Sequence, residues 1–161
     1  MEGMEIWLLL LLLLCSPSWG QSREDNPYYF APQQHKKLSQ PDSCSLEELA
    51  EMLSSVTQVH GSGVTFGNFE SDTHCCYRRL LESGEVAIPS FLKVLERGTP
   101  AGRLYACMGL MRLGREEMAR DGLTQLLACK GKIVYVSGCS RETLEAAVLA
   151  QSVLDKPERD F

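Results

Sequence analysis

The sequence predicts a mainly α-helical protein: a small antiparallel helical array with one short strand-like insert. Three observations predict it. Helix starts are marked by capping residues, such as Ser45 with Glu48 and Thr99 with Pro100. Helix ends are marked by Gly84, Gly98 and Gly114. Between these marks apolar residues recur three and four apart, the spacing of one helix face.

The elements follow in order. Ser45 and Glu48 form a capping box that opens a helix over 46–55, with Leu46, Leu49, Ala50 and Leu53 on one face. Residues 56–71 place Gly61, Gly63 and Gly67 among β-branched residues and read as a long loop or short hairpin. Asp72 reads as the N-cap of a helix over 73–83. Pro89 fits the first turn of the next helix, whose stripe is Ile88, Phe91, Leu92 and Leu95. Thr99 as N-cap and Pro100 at the first helical position start a helix to 113 that buries Leu104, Cys107, Met108, Leu110 and Met111. A fifth helix over 116–129 rests on Met118, Leu123, Leu126 and Leu127. Ile133 to Val136 is the strand-like insert. Ser140 reads as the cap of a last helix to 154 on Leu144, Ala147, Val148 and Val153, stopped by Pro157.

Residues 1–20 read as a signal peptide. An unbroken leucine run over 8–14 is too short to span a bilayer, which takes about twenty residues. It is followed by Pro17, with the small residues Ser18 and Gly20 before a cleavage point after Gly20. The leader departs from the usual pattern in carrying Glu2 and Glu5 and no basic residue. Residues 21–42, with the aromatic cluster Tyr28-Tyr29-Phe30, read as a flexible arm. Residues 43–156 read as the helical domain and 157–161 as a tail. The expected location is secreted or extracytoplasmic.

The leader holds two of the acidic residues and none of the basic ones, so the formal charge of −5 becomes −3 without it. That mild acidity carries no footprint for nucleic acid or anionic lipid. No second apolar run approaches membrane-spanning length, so no membrane association is expected after leader removal. Neither Asn26 nor Asn68 begins a glycosylation sequon. Of seven cysteines Cys15 lies in the leader, leaving Cys44, Cys75, Cys76, Cys107, Cys129 and Cys139. An even number in an exported chain favours disulfides. Cys129 with Cys139, and Cys44 with Cys75 or Cys76, are the expected bridges. Cys107 sits on an apolar stripe and reads as a buried thiol.

The segment 85–130, with its capped Gly-Thr-Pro turn between two helices, resembles a HEAT-type helical hairpin. The run Gly98-Thr99-Pro100-Ala101-Gly102-Arg103-Leu104-Tyr105-Ala106, followed by Val136-Ser137-Gly138-Cys139, is similar to a family of exported HEAT-like helical domains. The resemblance covers about a third of the chain left after leader removal. It implies a stack that presents a surface rather than a catalytic cleft. The chain departs from a true solenoid, since it holds at most two units and the strand-like insert interrupts the second.

Chemistry-bearing residues are few. Asp72-Thr73-His74-Cys75-Cys76 is the densest cluster. His and Cys are zinc ligands, and a thiol beside an imidazole can act as a nucleophile. Residues 74, 75 and 76 nevertheless point about 100° apart on a regular helix and cannot share one ion. The run Gly61-Ser62-Gly63-Val64-Thr65-Phe66-Gly67 resembles a phosphate cradle, but no Lys follows and the next helix begins only near Asp72. Arg78, Arg79, Arg97, Arg103, Arg112 and Arg115 are interleaved with Glu82, Glu85, Glu96, Glu116 and Glu117, the pattern of a solvated mixed-charge face. Glu47, Glu48, Glu142 and Glu145 are read on helices, away from any shared cleft.

The reading is therefore an exported, non-catalytic helical module that binds an unidentified protein through a helical face or the 56–71 loop. Within that loop His60, Gly61, Gly63, Phe66 and Gly67 are the candidate contacts. No cofactor and no metal are expected. The competing class is a small metal-dependent or cysteine-based hydrolase using His60, Asp72, His74 and Cys75 or Cys76.

Overall fold

The computed structural model describes residues 44–61 and 71–156. The expected signal peptide, arm and tail, together with Gly63, Phe66 and Gly67, lie outside the described residues. The elements run α1 (Leu46–Ser54), β1 (Gln58–His60), α2 (Asp72–Glu82), a 3-10 turn (Gly84–Ala87), α3 (Ile88–Arg97), α4 (Pro100–Arg112), α5 (Glu116–Leu127), β2 (Lys132–Ser137), β3 (Ser140–Glu145) and α6 (Ala146–Asp155). Among the described residues the fold is mainly helical, as expected, and the short strand-like insert is the middle strand of a small three-stranded sheet.

The capping signals act as read. The Ser45 hydroxyl accepts the Glu48 N–H at 3.3 Å, and the Glu48 carboxylate accepts the Ser45 N–H at 2.8 Å. Thr99 serves two elements at once. Its hydroxyl accepts the Gly102 N–H at 3.1 Å, capping α4, and donates to the Val56 carbonyl. Its own N–H donates to the Ser54 carbonyl at 2.9 Å, so the exit of α1 is tied to the entry of α4.

Helix α4 is the centre of the molecule. Ala101, Gly102, Leu104, Tyr105, Ala106, Cys107, Met108, Gly109 and Leu110 are all buried. A helix apolar on every side must be enclosed by others, and α4 is in contact with α1, α2, α3, α5 and α6. Its glycines set how closely they come. The Leu53 carbonyl of α1 and the Phe91 ring of α3 occupy the space that a Cβ at Gly102 or Gly109 would need.

The structure corrects several expectations. The N-cap of α2 is Ser71, whose hydroxyl accepts the His74 N–H at 3.2 Å, and Asp72 is the first helical residue. Leu92 is exposed and Val94 takes its place in the core. On α5, Met118 is 43% exposed and Leu127 also faces outward, while Ala119 and Gly122 are buried beside Leu123 and Leu126. On α6, Val148 is 56% exposed, and Ala146, Leu149, Ala150 and Val153 form the inner face. In both helices small residues turn inward because close helix packing favours them over larger side chains. Met111 is only partly buried.

Two strands replace expected loop and helix. Residues 58–60 form β1, parallel to β2, with Gln58 opposite Val134 and His60 opposite Val136. Ser140 does not cap a helix. It opens β3, antiparallel to β2 through a two-residue turn at Gly138 and Cys139, where Gly138 adopts φ +56°. Glu142 and Glu145 therefore lie on a strand.

Candidate functional site

The polar chemistry gathers where β1, the start of α2 and the β2–β3 hairpin meet. The His60 N–H donates to the Tyr105 hydroxyl at 3.0 Å, so α4 closes the outer edge of β1. Burial first, offset by that bond, pushes the Tyr105 hydroxyl up to about 12. The Gly61 N–H donates to the Val136 carbonyl at 2.7 Å. The Tyr135 hydroxyl lies 2.5 Å from where a Cβ on Gly61 would stand, so a side chain at this position would have to displace the Tyr135 ring. On the other flank, His74 meets the edge of Tyr77 with ring centroids 6.2 Å apart, and Tyr77 leans on Tyr105 at 5.2 Å.

Across the sheet, His60, Val136 and Arg141 stand in one row of partners. Alternation places their side chains on one face. The His60 imidazole is held below its ordinary pKa by burial, and further by His74 and Arg141. The structure thus brings His60 and His74 together from residues fourteen apart, and adds Arg141, which the sequence reading did not single out.

The thiols form a second group. Cys76 is buried with its Sγ 4.0 Å from Met52 Sδ. Burial pushes its thiol up to about 11, reinforced by Cys75, Asp72 and Cys44 and opposed by Arg79. Cys44, Cys75 and Cys76 are thereby gathered at the α1–α2 contact. Among the described residues the buried Nη1 of Arg79 makes no hydrogen bond. Cys107 is fully buried on α4, and burial pushes its thiol up to about 12. The six cysteines among the described residues are thiols in the structure.

The expected Cys129–Cys139 bridge is not formed. Cys129 precedes β2, its Sγ accepting the Gly131 N–H at 3.3 Å, whereas Cys139 is exposed in the hairpin turn. The ladder between them puts the two at opposite ends of a strand about 20 Å long. The excursion does not return to a helix end, because residues 140–145 are strand.

This geometry limits the chemistry. Among the described residues no group of three or more His, Cys, Asp or Glu is placed to hold a metal ion. Cys76 is held as the neutral thiol, the form least suited to nucleophilic attack. A strand does lead into the glycine run at Gly61, in a segment read from the sequence as a long loop or short hairpin. The following helix still starts with Asp72 in its first turn, which repels a phosphate.

The arginines are largely engaged. Arg78 pairs with Glu82 at 2.6 Å, Arg115 with Glu85 at 2.7 Å and Arg97 with Glu96 at 3.5 Å. Arg103 donates to the Gly98 and Glu96 carbonyls, so it closes the end of α3. The mixed-charge pairing is as expected at Arg78, Arg97 and Arg115, whereas Arg79 turns its Nη1 inward. An open groove of about 610 Å³ lies between α5 and α6, with Leu127, Val148, Gln151 and Asp155 on its walls. Among the described residues no helix is long and apolar enough to cross a membrane.

Tyr77, Tyr105 and Arg141 are the site residues that sequence reasoning missed. Tyr105 sits inside an apolar helical run and Tyr77 between two cysteines and two arginines, and neither position carries a motif. Arg141 lies in a segment whose pattern suggested a helix. The chain matches no family model, no curated protein and no solved structure.

Proposed function

We propose that this chain is an exported, non-catalytic, HEAT-like helical module that binds another protein through the 56–71 loop and the surface at its stem. The observation that carries this reading is the anchoring of both loop ends. Gly61 is fixed by its hydrogen bond to Val136, and Ser71 is fixed as the α2 cap. A loop carried on a rigid scaffold is the usual place for recognition. The side chains at the stem, His60, His74 and Arg141, offer imidazoles and a guanidinium, groups suited to hydrogen bonding and charge recognition. The raised pKa of Cys76 disfavours that thiol as the nucleophile of a cysteine-based hydrolase.

The test is affinity capture from native extracellular fluid with the full chain and with a variant whose residues 62–69 are replaced by a Gly/Ser linker. Far-UV circular dichroism confirms that both are folded. A partner retained by the first and lost by the second is expected. Equal capture by both rules out the loop. Stoichiometric bound zinc, or hydrolysis abolished by His60→Ala or His74→Ala, moves the protein to the enzyme class.

A further inference from the structure

β3 is an edge strand, and its pattern is complementary to itself. The sheet runs β1-β2-β3, and among the described residues no strand lies on the outer side of β3. Ser140, Arg141, Glu142, Thr143 and Glu145 are exposed, and only Leu144 is half-buried.

The ladder fixes which backbone groups face outward. The Ala146 N–H donates to the Gly131 carbonyl at 2.8 Å, which makes these two a hydrogen-bonded pair in the β2–β3 register. In an antiparallel ladder such pairs alternate with non-bonded ones. Stepping by two, Leu144, Glu142 and Ser140 turn their N–H and C=O groups toward β2. Arg141, Thr143 and Glu145 turn theirs away from it.

A second copy laid antiparallel about a two-fold axis at Thr143 meets every requirement of a continuing ladder. Thr143 faces the partner's Thr143, Arg141 faces the partner's Glu145, and Glu145 faces the partner's Arg141. All three outward-facing residues fall in bonded pairs, the parity the ladder demands. A shift of the axis by one residue keeps that parity but loses the charge pairing: at Glu142 it sets Glu142 against the partner's Glu142 and Arg141 against the partner's Thr143, and at Leu144 it sets Thr143 against the partner's Glu145. A shift by two, to Arg141 or Glu145, sets like charges opposite each other, which is unfavourable on a strand pair. The centred register instead pairs two opposite charges and two threonines, both favourable combinations.

The charges extend into rows. Lys132 lies across β2 from Glu145, with their charged atoms 4.0 Å apart. The centred register therefore continues Lys132 and Glu145 into the partner's Arg141, with signs alternating plus, minus, plus. The two-fold axis creates a second such row. Glu142 meets the partner's Leu144 on the other face and adds nothing.

We propose that β3 pairs with β3 of a second copy of this chain, making one continuous six-stranded sheet across a two-fold symmetric dimer. The inference goes beyond the loop-binding reading and does not rest on it. An interface of one short strand pair is small, so the dimer is a weak, concentration-dependent one.

The experiment is sedimentation velocity of the full chain from about 1 µM to about 500 µM, the range in which a weak self-association is read. Reversible dimerisation is expected. Thr143→Pro removes an N–H that faces away from β2, a position where an edge strand tolerates proline. It is expected to weaken the dimer by about tenfold or more. Arg141→Glu and Glu145→Arg each weaken it, and the doubly exchanged chain recovers most of the loss, since opposite charges again meet across the axis. Amide exchange of unmodified chain gives an independent reading: the Thr143 amide slows as concentration rises while the Leu144 amide, bonded within the hairpin, does not. A chain that stays monomeric throughout overturns the proposal. So does a dimer unaffected by Thr143→Pro, which forms through another face, or a Thr143 amide whose exchange ignores concentration.

Discussion

Helix α4 and strand β1 are adjacent, yet they are held by different forces. α4 is enclosed by helices on every side, and its contacts are apolar and close, down to the Cys107 Sγ lying 2.8 Å from where a Cβ on Gly122 would sit. β1 is three residues long and is held by hydrogen bonds, to Val136 from Gly61 and to Tyr105 from His60. Only Val59 among its side chains is buried. The first region supplies the cooperative core. The second carries imidazoles and the loop stem, and depends on the first for position. The core and the junction are thus separable by mutation.

Thiol reactivity gives the widest contrast. Cys107 is fully buried and held protonated, whereas Cys139 is exposed in the hairpin turn. Alkylation of Cys107 then waits for global opening, so its rate is expected to trail that of Cys139 by on the order of 10³-fold or more for a domain of ordinary stability. Mass-spectrometric labelling over time checks this. Comparable rates for the two would mean that the α4 stack opens locally.

Phe91→Ala empties the space between α3 and Gly109 of α4, and Phe91 is fully buried. The expected loss is about 3–5 kcal/mol in urea unfolding, the range for deletion of a buried aromatic ring. A loss under about 1 kcal/mol would show that the stack collapses to fill the gap. Thr99→Ala removes the α4 cap and the link to Val56 together. It is expected to cost about 1–2 kcal/mol, and Thr99→Ser should recover most of that loss because the hydroxyl does the work.

Tyr105→Phe tests the boundary between the regions. It keeps the ring in the core and removes the acceptor of the His60 N–H. The expected cost is about 1 kcal/mol, that of one hydrogen bond whose donor is left half-exposed. Its signature is local: amide exchange speeds up at His60 and not along α4. Faster exchange along α4 as well would show that the two regions open as one unit.

How much of this was legible in the sequence follows the same division. The α1 capping box, the Thr99-Pro100 start, the buried Cys107 and the strand at Ile133 to Val136 were readable because each depends on residues within a few positions of one another. β1 was not, because its partner is over seventy residues away and three residues carry no period. β3 was misread because Ser140, followed by charges and Leu144, imitates a helix start, while Gly138-Cys139 carried the hairpin signal. The inner faces of α5 and α6 were misplaced because Ala119, Gly122, Ala146 and Ala150 earn their burial by size, which periodicity of large apolar residues does not reveal. The site suffered most. His60 and His74 were named together only for the competing hydrolase, whereas their proximity is a consequence of β1, and Arg141 enters only through the β2–β3 register.

The smallest expected effect belongs to that same group. His60 has its pKa lowered in the folded chain, first by burial and then by His74 and Arg141. The unfolded chain therefore takes up a proton on this imidazole before the folded one does, and wherever the unfolded state binds more protons stability falls as pH falls. The contribution is fully present above the ordinary value of 6.5. It declines as pH drops below 6.5 and stops changing once the folded imidazole is also charged. His74 rests against Tyr77, and Arg141 lies in the same row of strand partners as His60, so both remain as neighbours of the titrating group. Urea midpoints measured between about pH 8 and about pH 5 should fall in the chain as it stands and fall less in His60→Gln, which cannot titrate. Phe91→Ala should lower the whole curve without changing its slope, since it touches the core and leaves the junction's charges alone. If His60→Gln retains the full pH dependence, the imidazole at the loop stem is no more buried when folded than when unfolded, and the junction is looser than its hydrogen bonds to Tyr105 and Val136 require.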